Sequence, residues 1–111
     1  MPEPHQRTPG DEDNPGALCA LAASCWDRAF RGYDLTEAQK AALAREGLDA
    51  VTRALTLAPD HPQALTYKAL LRRLQAALEP DPAARAVLDA DAEALREQAV
   101  NEKKLGLIRR A

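Results

Sequence analysis

Apolar residues recur at intervals of three and four along most of the chain, which is the spacing that places them on one face of an α-helix. The first such segment has a single stripe that runs from Leu18 through Cys25 and Trp26 to Phe30. The second has two adjacent stripes, so we expect that helix to pack against neighbours on two sides. The pattern predicts four helices, at 17–31, 36–58, 62–79 and 82–104.

Residues that begin and end helices stand at the boundaries of these segments. Side-chain acceptors can cap the free backbone N–H groups at each start, and Thr36 with Gln39 has the spacing of a capping box. The other predicted N-caps are Asn14, Asp60 or His61, and Asp81. Proline stops a helix that precedes it, and glycine favours the position after a last turn. The predicted stops are Gly32, Pro59, Pro80 and Gly106, with Leu107 and Ile108 folding back onto the core.

Few residues separate the predicted helices, so consecutive helices should be antiparallel neighbours. We therefore expect an all-α fold of two helical hairpins, 17–58 and 62–104. Strand-favouring Val, Ile, Thr and aromatic residues are scarce, whereas Ala, Leu, Arg, Glu, Gln and Lys dominate, which excludes an all-β fold. With 111 residues the chain has room for one domain, which we place at 17–108.

Residues 1–16 differ in composition from the rest of the chain. They include four prolines and two glycines, and no aliphatic side chain follows Met1. Three acidic residues stand in a row at 11–13. Such a segment cannot bury enough apolar surface to offset the entropy lost on ordering. We predict a disordered tail, and the alternative is a docking peptide for a partner.

Charge and apolar runs exclude several classes of protein. A net charge of −2 is too balanced to indicate nucleic acid as the partner. No window approaches the roughly 20 apolar residues of a membrane helix, and the N-terminal residues lack the apolar core of a secretory signal. Cys19 and Cys25 lie about 9 Å apart along one predicted helix, which is too far for a disulfide. We expect free thiols and a cytoplasmic protein that does not associate with membranes.

Residues 47–60 resemble the second helix of a tetratricopeptide (TPR) repeat. Gly47, Val51, Ala54 and Pro59 stand where that helix has a small residue, an apolar residue, alanine and proline. Small residues let paired helices approach closely, and proline ends the hairpin. The region 17–104 also resembles small bacterial TPR-like proteins, through Trp26–Phe30, Leu35–Thr36, Pro59–Asp60, Ala64–Lys68, Leu70–Leu71 and Asp81–Pro82.

The chain departs from the TPR pattern in three respects. A TPR repeats after about 34 residues, and Glu93 stands where a second proline would then follow Pro59. Lys68 and Arg72 stand where the first helix of a next repeat usually has a large aliphatic and an aromatic residue. The two predicted hairpins, of 42 and 43 residues, are longer than the usual unit. A plain four-helix bundle is therefore the alternative architecture.

Residues with candidate catalytic or metal-binding chemistry are sparse. Glu93 and Glu97 share a helix face, but the chain has no Glu-x-x-His motif for a di-metal site. It also has no glycine-rich phosphate loop. The thiol and imidazole side chains match no zinc motif in their spacing. They are His5, Cys19, Cys25 and His61. We therefore expect no catalytic residue, no cofactor and no metal, and we do not expect an enzyme.

Aromatic residues follow a helical spacing near the end of the first predicted helix. We predict that Trp26 and Phe30 belong to the core between the helices. For Tyr33 and Tyr67, a core position and a position in a binding groove are equally compatible with the pattern.

The TPR resemblance implies a protein-interaction module or an accessory subunit of a larger assembly. In TPR arrays the first helices of successive hairpins line a concave surface, which here means 17–31 and 62–79. Polar residues off the apolar stripes of these two helices are the predicted partner-binding residues. They are Arg28, Arg31, Thr66 and Arg73.

The expected partner is a protein, and self-association is a further way to cover the open ends of so short a stack. The alternative function is that of a small helical regulator. It would bind nucleic acid or another anionic partner through the basic residues of 101–111.

Overall fold

The computed structural model describes residues 14–110, and this part of the chain folds into four helices without a strand. The all-α prediction is therefore confirmed for the region described. Each helix lies within a few residues of a predicted segment. The helices are α1 Pro15–Arg31, α2 Glu37–Leu57, α3 Pro62–Leu78 and α4 Pro82–Arg110.

Helix α1 begins two residues earlier than predicted, because Asn14 and Pro15 form its start. The Asn14 side-chain oxygen accepts hydrogen bonds from the backbone N–H of Gly16 at 2.8 Å and of Ala17 at 3.3 Å. Pro15 has no N–H to satisfy and suits the first helical turn. Residues 15 and 16 are therefore helical and not part of a tail. The rest of the predicted tail, residues 1–13, lies outside the described region.

The predicted caps of the next helices are confirmed, with the choice at α3 now decided. At α2, Thr36 Oγ1 accepts from the Gln39 N–H at 3.1 Å, and Gln39 Oε1 accepts from the Thr36 N–H at 2.8 Å. This reciprocal pair is the predicted capping box. At α3 the cap is His61, whose Nδ1 accepts from the Ala64 N–H at 3.3 Å. At α4, a carboxylate oxygen of Asp81 accepts from a backbone N–H in the first turn, at 3.1 Å.

The predicted end of the fourth helix is wrong, since α4 continues through Gly106 to Arg110. Gly106 does not adopt the positive φ of a left-handed cap, so the helical hydrogen-bond pattern runs on past it. The predicted return of Leu107 and Ile108 to the core is also wrong. Their side chains are 67% and 69% exposed.

The core lies among α1, α2 and α3. The largest fully buried side chains are Leu71, Val51, Cys19 and Cys25. Gly47 lies where the three helices approach closely, because a Cβ atom there would lie 3.0 Å from Leu71 Cδ1 and 3.2 Å from Cys25 Cβ. A helix-interior glycine costs about 1 kcal/mol relative to alanine, and the close packing at this point explains its presence.

Helix α3 is the central element of the fold. It packs against α1, α2 and α4, whereas α1 packs against α2 and α3. Within residues 14–110, α4 has no comparable packing against α1 or α2. It contributes only Ala92 and Ala99 to the buried apolar side chains of the described region.

Candidate partner-binding surfaces

The two predicted binding residues of α1 are exposed at its C-terminal end. Arg28 and Arg31 lie in the last turn of the helix. Arg31 Nε pairs with Asp27 Oδ1 at 2.9 Å, one helical turn away; the Arg31 side chain is largely in solvent and that of Asp27 is half exposed. Exposed pairs of this kind contribute little to stability. The guanidinium of Arg31 can therefore exchange Asp27 for a partner carboxylate at small cost.

The two predicted binding residues of α3 already have partners within the chain. Thr66 and Arg73 lie seven residues apart and so share a face of the helix. The Thr66 hydroxyl donates to the backbone oxygen of Pro62 at 2.9 Å. Arg73 Nη2 pairs with Glu93 Oε2 at 2.8 Å, so this side chain reaches towards α4.

Glu93 is the centre of a small ion-pair network at the junction of α3 and α4. Besides Arg73, it pairs with Arg96 Nη2 through Oε1 at 2.7 Å. The hydrogen bond from Arg96 and the charges of both guanidinium groups lower the pKa of the Glu93 carboxyl. Arg73 therefore joins two helices of the chain, and a partner that bound Arg73 would have to compete with Glu93.

Phe30, at the end of α1, lies on the surface and not in the core. The prediction that Phe30 is buried is wrong: its side chain is 69% exposed. The buried positions of this turn are Cys25 and Ala29, and Phe30 lies about 100° further round the helix than Ala29. Its ring stacks on Trp26 with the centroids 4.9 Å apart.

Trp26, Tyr67 and Tyr33 occupy different environments. Trp26 and Tyr67 are partly buried and pack against the main core cluster, in agreement with the core prediction for Trp26. Tyr33, in the turn after α1, is fully exposed. Phe30, Arg31 and Tyr33 are thus exposed aromatic and cationic side chains close together in the sequence.

A groove of about 370 Å³ lies between α2, α3 and α4, on a side of α3 where no binding residue was predicted. A second groove, of about 300 Å³, continues between α3 and α4. Arg72 lines both. The charged side chains that line the two grooves are Arg45, Lys68, Arg72, Glu79 and Asp91.

A signal for this groove exists in the sequence. Lys68 and Arg72 are the two residues that depart from the TPR pattern on the third helix, and their spacing of four puts them on one face. In the sequence alone, they stand out as a mismatch with the TPR pattern and not as a shared surface. The position of α4 beside that face could not be read from the pattern.

The C-terminal turns of α4 are exposed and basic. Lys103, Lys104 and Arg109 are all exposed, as are the nearby Leu107 and Ile108. The cations of the alternative, anion-binding function therefore lie on an accessible surface together with aliphatic side chains.

Both thiols are poor nucleophiles in this fold. Cys19 and Cys25 are free and buried. Burial raises the pKa of each thiol, and the Glu46 carboxylate raises that of Cys25 further. A thiol with a raised pKa stays protonated at neutral pH, and the thiolate is the reactive form.

No metal site or membrane span is found in the described region. Among residues 14–110, no three His, Cys, Asp or Glu side chains are grouped so that they could hold a metal ion. His5, one of the candidate ligands from the sequence, lies outside this region. None of the four helices has the length and apolar character needed to cross a bilayer.

Comparisons with known proteins identify no relative. No protein-family model matches the chain, and no curated protein or solved structure matches it significantly.

Proposed function

We propose that the chain is a TPR-like protein-interaction module that acts as an accessory subunit of a larger assembly. The observation that carries this proposal is the order of helix packing. Helix α1 packs against α3 as well as α2, and α4 packs against α3. Contact between the first helices of two successive hairpins, α1–α2 and α3–α4, is expected of a stacked repeat. In a closed four-helix bundle, α4 would also pack well against α1.

The proposed partner surface is formed by α1 and α3. It includes the four residues predicted from the sequence, Arg28, Arg31, Thr66 and Arg73, and the exposed aromatic residues at the end of α1. Aromatic and arginine side chains are enriched among the residues that contribute most binding energy at protein interfaces. Phe30, 69% exposed, and the fully exposed Tyr33 support this surface because they are costly to leave in water. The two free, buried cysteines support action in a reducing compartment such as the cytoplasm.

The test is capture of partners from the source cell, followed by mass spectrometry. The test variant combines Phe30→Ala with Arg28→Glu and Arg31→Glu. All three residues are exposed, so we expect the fold to persist while capture is lost. Arg73 is left unchanged because its reversal would also break the pair with Glu93.

The matched control is Lys103→Glu with Lys104→Glu, which changes charge on the exposed end of α4. This control should retain the captured partners. If it loses them while the α1 variant keeps them, the α1–α3 surface is not the binding site.

The second candidate function is anion binding through the basic end of α4. The observation in its favour is that Lys103, Lys104 and Arg109 are exposed together. Binding of an oligonucleotide through phosphate contacts would weaken steeply as the salt concentration rises. A salt titration of oligonucleotide binding, repeated with the Lys103→Glu and Lys104→Glu variant, separates the two functions.

A further inference from the structure

Among residues 14–110, the cations that line the groove between α2, α3 and α4 and the second groove beside it have no carboxylate within ion-pair distance. None of the ion pairs in the part of the chain that the structure describes includes Arg45, Lys68 or Arg72. Arg45 comes from α2, whereas Lys68 and Arg72 come from α3, so the fold brings together charges distant in sequence. Cations gathered in a concave surface attract an anionic ligand.

Arg72 is held in place on the groove side of α3. Its Nη1 donates to Gln75 Oε1 at 2.9 Å, and both side chains are half-buried. Gln75 is neutral, so this bond orients the guanidinium without neutralising it. Arginine can bind a carboxylate through two parallel hydrogen bonds, and restricting its side chain in advance reduces the entropy lost on binding.

The lining of the groove favours a peptide over a nucleic acid. Ala41, Leu78 and Leu88 provide apolar surface beside the cations, and none of the residues that line the two grooves is aromatic. Single-stranded nucleic acids bind through basic grooves with aromatic side chains on which the bases stack.

We propose that this groove binds an acidic, amphipathic segment of a partner protein. Carboxylates of the segment pair with Arg45 and Arg72, and its apolar side chains pack against Leu78 and Leu88. This surface differs from the one under the proposed function. Successive residues of a helix point about 100° apart, and Arg73 reaches towards Glu93 while Arg72 faces the groove. The inference rests on the chain being an interaction module, but not on the α1–α3 face.

The test uses a fluorescein-labelled peptide of five Glu-Glu-Leu repeats and the full chain, with binding followed by fluorescence anisotropy. The groove variant, Arg45→Gln with Arg72→Gln, should bind about tenfold more weakly or worse, since it loses two charge-assisted contacts. The matched control, Arg53→Gln with Arg96→Gln, removes the same charge from exposed positions of α2 and α4 that line neither groove, and it should change the affinity less than twofold. A peptide of Lys-Lys-Leu repeats should not bind.

Three results would overturn the proposal. The first is that the Glu-Glu-Leu peptide does not bind, and the second is that the groove variant and the control lose affinity equally. The third is that an oligothymidine strand binds more tightly than the peptide and that the groove variant abolishes this binding. The last result would assign the groove to nucleic acid.

Nuclear magnetic resonance on the unmodified chain provides a test that does not depend on the folding of the groove variant. Addition of the peptide to the unmodified chain should shift amide signals around Arg45, Arg72 and Leu88. Shifts confined to the end of α1 would refute the groove and favour the α1–α3 face. Loss of cellular partners in the α1 variant, with peptide binding intact, would show that the two surfaces act separately.

Discussion

Helices α1 and α4 contribute very differently to the core, although α4 is the longer. Helix α1 has 17 residues and buries five side chains, among them Leu18, Cys19 and Cys25. Helix α4 has 29 residues and buries Ala92 and Ala99. The free energy of apolar burial scales with the area removed from water, so two alanines supply little of it. The stability of the fold therefore resides mainly in α1, α2 and α3.

The attachment of α4 to α3 depends on close approach and on exposed charges. The buried side chains of α4, Ala92 and Ala99, are small, which allows α4 to come near its neighbour. The ion pairs from Glu93 to Arg73 and Arg96 add to this contact, but all three side chains are about half exposed. Such pairs are worth little in water. Helix α4 thus packs along α3 but contributes less buried apolar surface to the core than α1 does.

The largest expected difference between the core of α1, α2 and α3 and helix α4 is in the unfolding free energy that is lost when a leucine is replaced by alanine. Leu71→Ala empties a fully buried site among α1, α2 and α3 and should cost about 2–5 kcal/mol of unfolding free energy. Leu95→Ala changes a half-buried side chain of α4 and should cost about 1 kcal/mol. Urea unfolding of both variants measures the two values. Equal losses would mean that α4 belongs to the same cooperative core.

Replacement of two helical glycines by alanine should change the stability of the fold in opposite directions. At Gly47 a new Cβ would crowd Leu71 and Cys25, so alanine should lower stability by about 1 kcal/mol or more in spite of its better helix propensity. At Gly106 nothing lies within 4 Å of that position, so alanine should stabilise the end of α4 by up to about 1 kcal/mol. Thermal unfolding reports the first change, and amide hydrogen exchange in 102–110 reports the second. Stabilisation by Gly47→Ala would contradict the close helix packing described here.

Acid should weaken the contact between α3 and α4 through Glu93. Its pKa is lowered in the folded chain, mainly by the hydrogen bond from Arg96. The folded state therefore gains stability from this group above the ordinary glutamate pKa, and it loses that gain as the pH falls through the lowered value. A carboxyl titration by nuclear magnetic resonance should place the Glu93 midpoint below that of an ordinary glutamate. In Arg96→Gln the midpoint should rise, and an unchanged midpoint would rule out this ion pair.

The smallest expected effect is on the reactivity of the thiols when the end of α4 is removed. Cys19 and Cys25 lie in the core, and burial raises the pKa of both, so labelling by a disulfide reagent requires the core to open. Deletion of 102–111 should leave the labelling rate unchanged, whereas Leu71→Ala should raise it. Faster labelling after the deletion would show that α4 protects the core.

The local elements of the fold follow from the sequence because their causes are local. The capping box of Thr36 and Gln39 and the cap at Asp81 are interactions over three residues, and both are present as predicted. The apolar periodicity likewise located all four helices. The predicted stop at Gly106 failed because glycine only permits a left-handed cap and does not require one.

The candidate sites were less predictable because they depend on what packs beside each helix. Phe30 lies on the edge of an apolar stripe, and only the positions of α2 and α3 decide that it is exposed. Arg72 and Arg73 are neighbours in sequence, yet one faces a groove and the other pairs with Glu93. The direction of each side chain follows from the helix, but its surroundings follow from the placement of α4.

The sequence by itself determined the helical class, the helix starts and most of the buried positions in α1 and α2, since these follow from periodicity and capping. Only the tertiary structure decided that α3 is the central helix, that α4 packs mainly against α3, and that Arg45 of α2 lines the same groove as Arg72. The physical reason is that packing between helices depends on side chains far apart in the chain. A stripe of alanine and leucine does not specify which neighbour will cover it.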